Sequence, residues 1–84
     1  MKHVTSAGLD ALDELLADLR GVDGLVEKTR GVFYRGSRAF LHFHEDPAGL
    51  YADVRLDGAE FERMRVSTKA ERQRLLSRVR AAMR

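Results

Sequence analysis

The sequence predicts an α+β fold: a two-layer sandwich in which a four-stranded antiparallel meander carries an N-terminal and a C-terminal helix on one face, in the order α-β-β-β-β-α. Three observations lead there. Leucines recur at helical spacing between Leu9 and Leu19, and the pattern changes to period-two alternation from Val32 onward. A capping box from Thr68 to Glu71 then opens a second helical run. Two helices with single apolar stripes need a sheet face to bury them.

The first helix is expected near residues 7–20. Leu9, Leu12, Leu15, Leu16 and Leu19 form its apolar side, with Asp10, Glu14 and Asp18 opposite. Thr5 or Ser6 can cap its start and Gly21 supplies a stop. In the connector "GVDGLVEKTRG", Leu25 and Val26 are expected to tuck under the sheet or to form a short strand. "VFYR" and "RAFLHFH" flank Gly36-Ser37, and "LYADVRL" and "EFERMRV" flank Asp57-Gly58. Both two-residue spacers suit tight hairpin turns, because glycine accepts positive φ without steric cost. Between them, Asp46-Pro47-Ala48-Gly49 places proline at the second position of a type I turn. The second helix carries Leu75, Leu76, Val79, Ala82 and Met83 on one side, while Arg72 falls inside that stripe and has to snorkel.

With 84 residues the chain is expected to form a single domain, 1–84, with one modest core. A chain of this size buries little more than roughly 60% of its unfolded surface. The absence of cysteine excludes disulfides, thiolate metal sites and a cysteine nucleophile, and suits a reducing compartment. No segment approaches the roughly 18 apolar residues of a membrane helix, and the first residues do not resemble a signal peptide. A cytoplasmic location without membrane partners is the expectation. The formal net charge of +2 hides an asymmetry. Asp10, Asp13, Glu14, Asp18 and Asp23 face Arg20 alone in the first part, whereas Arg63, Arg65, Lys69, Arg72, Arg74, Arg78, Arg80 and Arg84 face only Glu71 in the last. Such a layout suits an acidic or nucleic-acid partner, or two chain ends that lie together and neutralise, with Glu14 or Asp18 answering Arg74 or Arg78.

A two-residue turn at Gly36-Ser37 would pair Arg35 with Arg38 and Phe33 with Phe40, leaving Val32, Tyr34, Ala39, Leu41 and Phe43 on the core side beside Ala52, Val54 and Leu56. A glycine bulge at Gly49 would instead pair Asp46 with Leu50 and reverse every side chain of the next strand. Burial of Val54 and Leu56 decides for the first register. The candidate binding face is then Phe33, Arg35, Arg38, Phe40, His42, His44, Tyr51 and Arg55, with Asp53 across from His42. Arg74, Arg78, Arg80 and Arg84 form a candidate basic helix.

His42-x-His44 is a spacing that can present two imidazoles to one ion. A solvated pair answered by Asp53 is the more ordinary outcome of such a strand, so neither metal nor cofactor is expected. No glycine-flanked serine, cysteine or phosphate-cradling glycine loop occurs, and an enzyme is not expected. Aromatics interleaved with bases on an open sheet can bind single-stranded nucleic acid. The same patch can be covered by a protein partner or a second copy, and Phe33 with Phe40 can be a hairpin-stabilising pair. The expected function is a non-enzymatic protein-interaction or self-associating module, the alternative a nucleic-acid-binding protein.

The run "GLVEKTRGVFYRGSRAFLHFHEDPAGLYADVRL", preceded by its leucine helix, resembles the start of the MmcQ/YjbR-like family of small bacterial proteins. There too a helix leads to a glycine-hydrophobic-acid step, here Gly24-Leu25-Val26-Glu27, and then to a hairpin whose second strand is rich in aromatics. The resemblance implies a compact α+β "double-wing" fold and an association with DNA. It carries over no site residues.

Overall fold

A strand with no legible alternation comes first: β1 (Lys2–His3), in a computed structural model that describes residues 2–84. Thr5 then caps the first helix, its hydroxyl accepting from the Gly8 amide at 3.1 Å. That helix is not continuous. It runs as α1 (Ser6–Ala11) and α2 (Asp13–Arg20), interrupted at Leu12, whose ψ of 10° leaves helical geometry although its side chain is fully buried. Gly21 ends α2 as expected.

The sheet has six strands, where four were expected. After β2 (Leu25–Thr29) come β3 (Val32–Arg35), β4 (Arg38–Asp46), β5 (Gly49–Val54) and β6 (Glu62–Arg65), all antiparallel in the order β2-β3-β4-β5-β6. β1 pairs with the end of β4 that β3 does not reach, setting His3 opposite His44. Of the two added strands, β2 is the short strand that Leu25 and Val26 were expected to form as one of two options, left open because an edge strand with one buried residue has little pattern, and β1 is too short to alternate at all.

Gly36-Ser37 is a two-residue turn, since Arg35 pairs with Arg38. Gly36 takes φ 62° while among the described residues only glycines have positive φ, so Ser37 does not, the signature of a II′ hairpin. The β4–β5 register follows burial: Asp46 opposes Gly49, Leu41 opposes Val54 and Phe43 opposes Ala52. Asp57-Gly58 is not the tight turn expected. Val54 pairs with Glu62, so residues 55–61 form a longer connection, folded back by a bond from the Gly58 amide to the Arg55 carbonyl and by Asp57 accepting from the Ala59 amide.

A bulge in β4 changes the face assignment of the first hairpin. Tyr34 opposes Ala39 while Phe33 opposes Leu41, so Phe40 is the extra residue. Phe33 and Phe40 therefore belong to the core, 0% and 2% exposed, instead of the open face. Tyr34 and Ala39 move the other way, and Val32 is only half-buried. Leu56 keeps partial contact with the core.

One sheet face collects Leu25, Phe33, Leu41, Phe43, Ala52 and Val54. The leucines of α1 and α2, with Leu75, Leu76 and Val79 of α3 (Lys69–Ala82), close over them in a single cluster. Fully burying each such side chain is worth about 1.5–3 kcal/mol. Both halves of the capping box at Thr68 and Glu71 form. Arg72 snorkels as expected, donating to the carbonyls of Val66 and Ser67.

Candidate functional site

The register arranges the uncovered face in rows. Val26, Tyr34 and Ala39 form one, His42, Asp53 and Arg63 the next, and His3, His44, Tyr51 and Arg65 the last. Arg55 extends the first row, donating from Nε to the Ala39 carbonyl at 3.0 Å, with its guanidinium 4.2 Å above the Phe61 ring. Lys28 lies 4.3 Å above the ring of Tyr34. Val26 and Phe61 are the exposed large apolar residues of the described chain.

Of the expected binding residues, His42, His44, Tyr51 and Arg55 do share this face. Arg35 and Arg38 do not lie on its flat. Arg35 alternates with buried Phe33 and opposes Leu25, which puts the Arg35–Arg38 pair on the helix side of the pleat, at its open end. They nevertheless meet Arg55. Arg35, Arg38, Ala39, Phe40, Arg55 and Gly58 line a hollow of about 290 Å³ around the hairpin end. Arg38 donates to the Gly58 carbonyl at 2.8 Å and Arg55 to the Ala59 carbonyl at 3.0 Å, so the 55–61 connection holds both guanidinium groups in place. Arg35 is exposed beside them, and no carboxylate lines the hollow.

A second cluster sits in the middle of the face. Asp53 is the buried charged residue of the described chain, 8% exposed. Arg63 grips it with two parallel bonds, Nε to Oδ1 at 2.8 Å and Nη2 to Oδ2 at 2.9 Å. That grip holds the Asp53 carboxyl below its usual range, against the opposing effect of burial. Asp53 opposes His42 in register, yet its close imidazole contact is with the diagonal neighbour His44, whose Nε2 stands 3.1 Å from Oδ2. His42 instead meets His44 and Phe61 edge-on, each with ring centres 4.8 Å apart. Burial pushes the His42 imidazole below its usual pKa, with His44 adding to the effect. His3 stacks on the far side of His44 at 5.5 Å. The Nδ1 atom of His44 is shielded and has no hydrogen-bond partner among the described residues.

His3, Phe61 and Arg63 were not among the expected site residues. A signal for Arg63 was present. A two-residue turn at Asp57-Gly58 sets Glu62 opposite Asp53, where like charges repel; one more residue sets Arg63 there. Nothing comparable pointed to His3, because a two-residue strand has no pattern to read.

The basic helix divides. Arg78 donates to Glu62 on β6 at 2.6 Å, not to Glu14 or Asp18. Arg74 and Arg78 border a hollow with Met64, Arg65 and Glu71. Arg80 and Arg84 border another that includes Asp18 of α2. Arg65 pairs with Glu71. No helix among the described residues is long and apolar enough to cross a membrane. Comparison with protein-family models, with curated proteins and with solved structures finds no match.

Proposed function

We propose that this chain is a non-enzymatic interaction module that docks an acidic segment of a protein partner in the hollow at the β3–β4 hairpin end. The observation that carries this reading is the convergence of Arg35, Arg38 and Arg55 on one concavity without a lining carboxylate. A guanidinium fork suits a carboxylate, and here two of the three forks are held in advance by carbonyls of residues 58 and 59. Preorganised donors lose less freedom on binding. Nucleic acid fits this surface less well. Phe33 and Phe40, the expected stacking platforms, are in the core. The arginines that would track a phosphate backbone are largely engaged: Arg63 with Asp53, Arg65 with Glu71 and Arg78 with Glu62. The MmcQ/YjbR-like resemblance contributes no residue to the surface.

Fluorescence anisotropy with a labelled glutamate-rich peptide and with single- and double-stranded oligonucleotides, each at two salt concentrations, tests the proposal. The peptide is expected to bind, and Arg35→Ala and Arg38→Ala to weaken it at least several-fold each. Oligonucleotide binding with a steep salt dependence and no peptide binding would replace this reading with the nucleic-acid one. Binding of neither probe at low salt overturns both.

A further inference from the structure

The central cluster lies apart from the arginine hollow and carries a proposal that does not depend on it. The geometry points to a binding site for a zinc-like divalent ion formed by His42, His44 and Asp53. One ring nitrogen from each histidine and one carboxylate oxygen lie within 4.8 Å of one another. Around a tetrahedral zinc with bonds of about 2.0–2.1 Å, ligand atoms stand roughly 3.3 Å apart. Side-chain rotation can close that difference without moving the strands. The ligands project from β4 and β5, which are paired along their whole facing length, so their backbone spacing is fixed before an ion arrives.

The donor set selects the ion. Two imidazoles with one carboxylate suit zinc and its first-row neighbours, whereas calcium and magnesium take oxygen ligands. The supporting groups are in place as well. Arg63 holds Asp53 from the outer side, and a carboxylate has lone pairs enough to bind an ion while still accepting from a guanidinium. The shielded, unpartnered Nδ1 of His44 shows that hydrogen bonds among the described residues do not satisfy this ring. Solvation of a bland surface pair does not account for that atom either. Three protein ligands leave a fourth position for water.

The test uses the full chain stripped of metal by a chelator and dialysed. Calorimetric titration with zinc is expected to give one site per chain, and the His42 and His44 ring signals in NMR are expected to shift. Cobalt(II) is expected to give visible absorption bands from the same site. His42→Ala removes only ring contacts, with His44 and Phe61, so it is expected to fold. It should weaken zinc binding at least tenfold and abolish the cobalt bands. Asp53→Asn should also weaken binding, and circular dichroism of the metal-free variant shows whether its fold is kept. Absence of heat and of ring-signal shifts in the wild type overturns the proposal. So does zinc binding in His42→Ala as tight as in the wild type.

Discussion

The two faces of the β4–β5 pair are built from alternate residues of the same two strands and held by different physics. On the helix side Leu41 meets Val54 and Phe43 meets Ala52, all at most 2% exposed. On the open side His42 meets Asp53 and His44 meets Tyr51, joined by a close imidazole–carboxylate contact, a bidentate guanidinium and edge-on rings. Apolar burial is non-directional and sums over area, so any residue of about the right size contributes to it. The polar network is directional, and each group depends on a named partner in a named place. Damage to the first should therefore be large and graded by volume, and damage to the second smaller and graded by which partner is left alone.

The largest effect expected on this comparison comes from Phe33, fully buried opposite Leu41. Phe33→Ala should cost about 3–5 kcal/mol, because it loses transfer energy and leaves a cavity under the helices. That is a large share of the roughly 5–15 kcal/mol a whole domain has. Urea denaturation measures it, and Phe33→Leu should recover most of the loss. A cost under 1 kcal/mol would place the ring on the wet side, as a hairpin without a bulge requires.

On the open face Asp53→Asn should cost less, about 1–3 kcal/mol, the range for stripping buried polar groups of a partner. The Arg63 fork would keep one weaker bond, to the amide oxygen, in place of two charge-assisted ones, since the amide nitrogen does not accept. Arg63→Ala should cost more than Asp53→Asn, because it leaves the 8%-exposed Asp53 carboxylate without its bidentate partner, whereas the Arg63 that Asp53→Asn leaves behind is 49% exposed and meets water. Equal costs for the two, measured by urea denaturation, would mean that burial of Asp53 does not set the scale.

How legible each face was follows from the same contrast. The core of the β4–β5 pair could be read because period-two burial of Leu41, Phe43, Ala52 and Val54 admits only one register. The same rule misplaced Phe33 and Phe40, since a bulge breaks the period and leaves no mark in composition. The candidate site depended on events of this kind. Arg35 and Arg38 were expected on the open face with Arg55 and are not there; they meet Arg55 in a hollow instead, through the fold-back of residues 55–61. His42 and His44 stood where alternation put them, whereas the ring that comes nearest the Asp53 carboxylate is set by a diagonal distance no register states.

The smallest expected effect lies where the covering layer begins, at the N-terminus of α3. The Thr68 hydroxyl accepts from the Glu71 amide at 3.1 Å and the Glu71 carboxylate accepts from the Thr68 amide at 2.9 Å. Thr68→Ala should cost about 1 kcal/mol, the usual value of such a cap. Glu71 adds a dependence on pH with a definite sign. Its carboxyl is held below the usual value, first by the Thr68 amide and further by Arg65, so the unfolded chain takes up its proton at higher pH than the folded one. The contribution is thus fully present above the ordinary glutamate range near 4.3 and is lost as pH falls through the lower folded value. Urea denaturation of wild type and Glu71→Ala at pH 7 and pH 3 measures the difference. The difference between the two proteins should be larger at pH 7 than at pH 3. A gap unchanged between the two pH values would show that Glu71 acts by packing, as the apolar residues of the covered face do, and not as a charged cap.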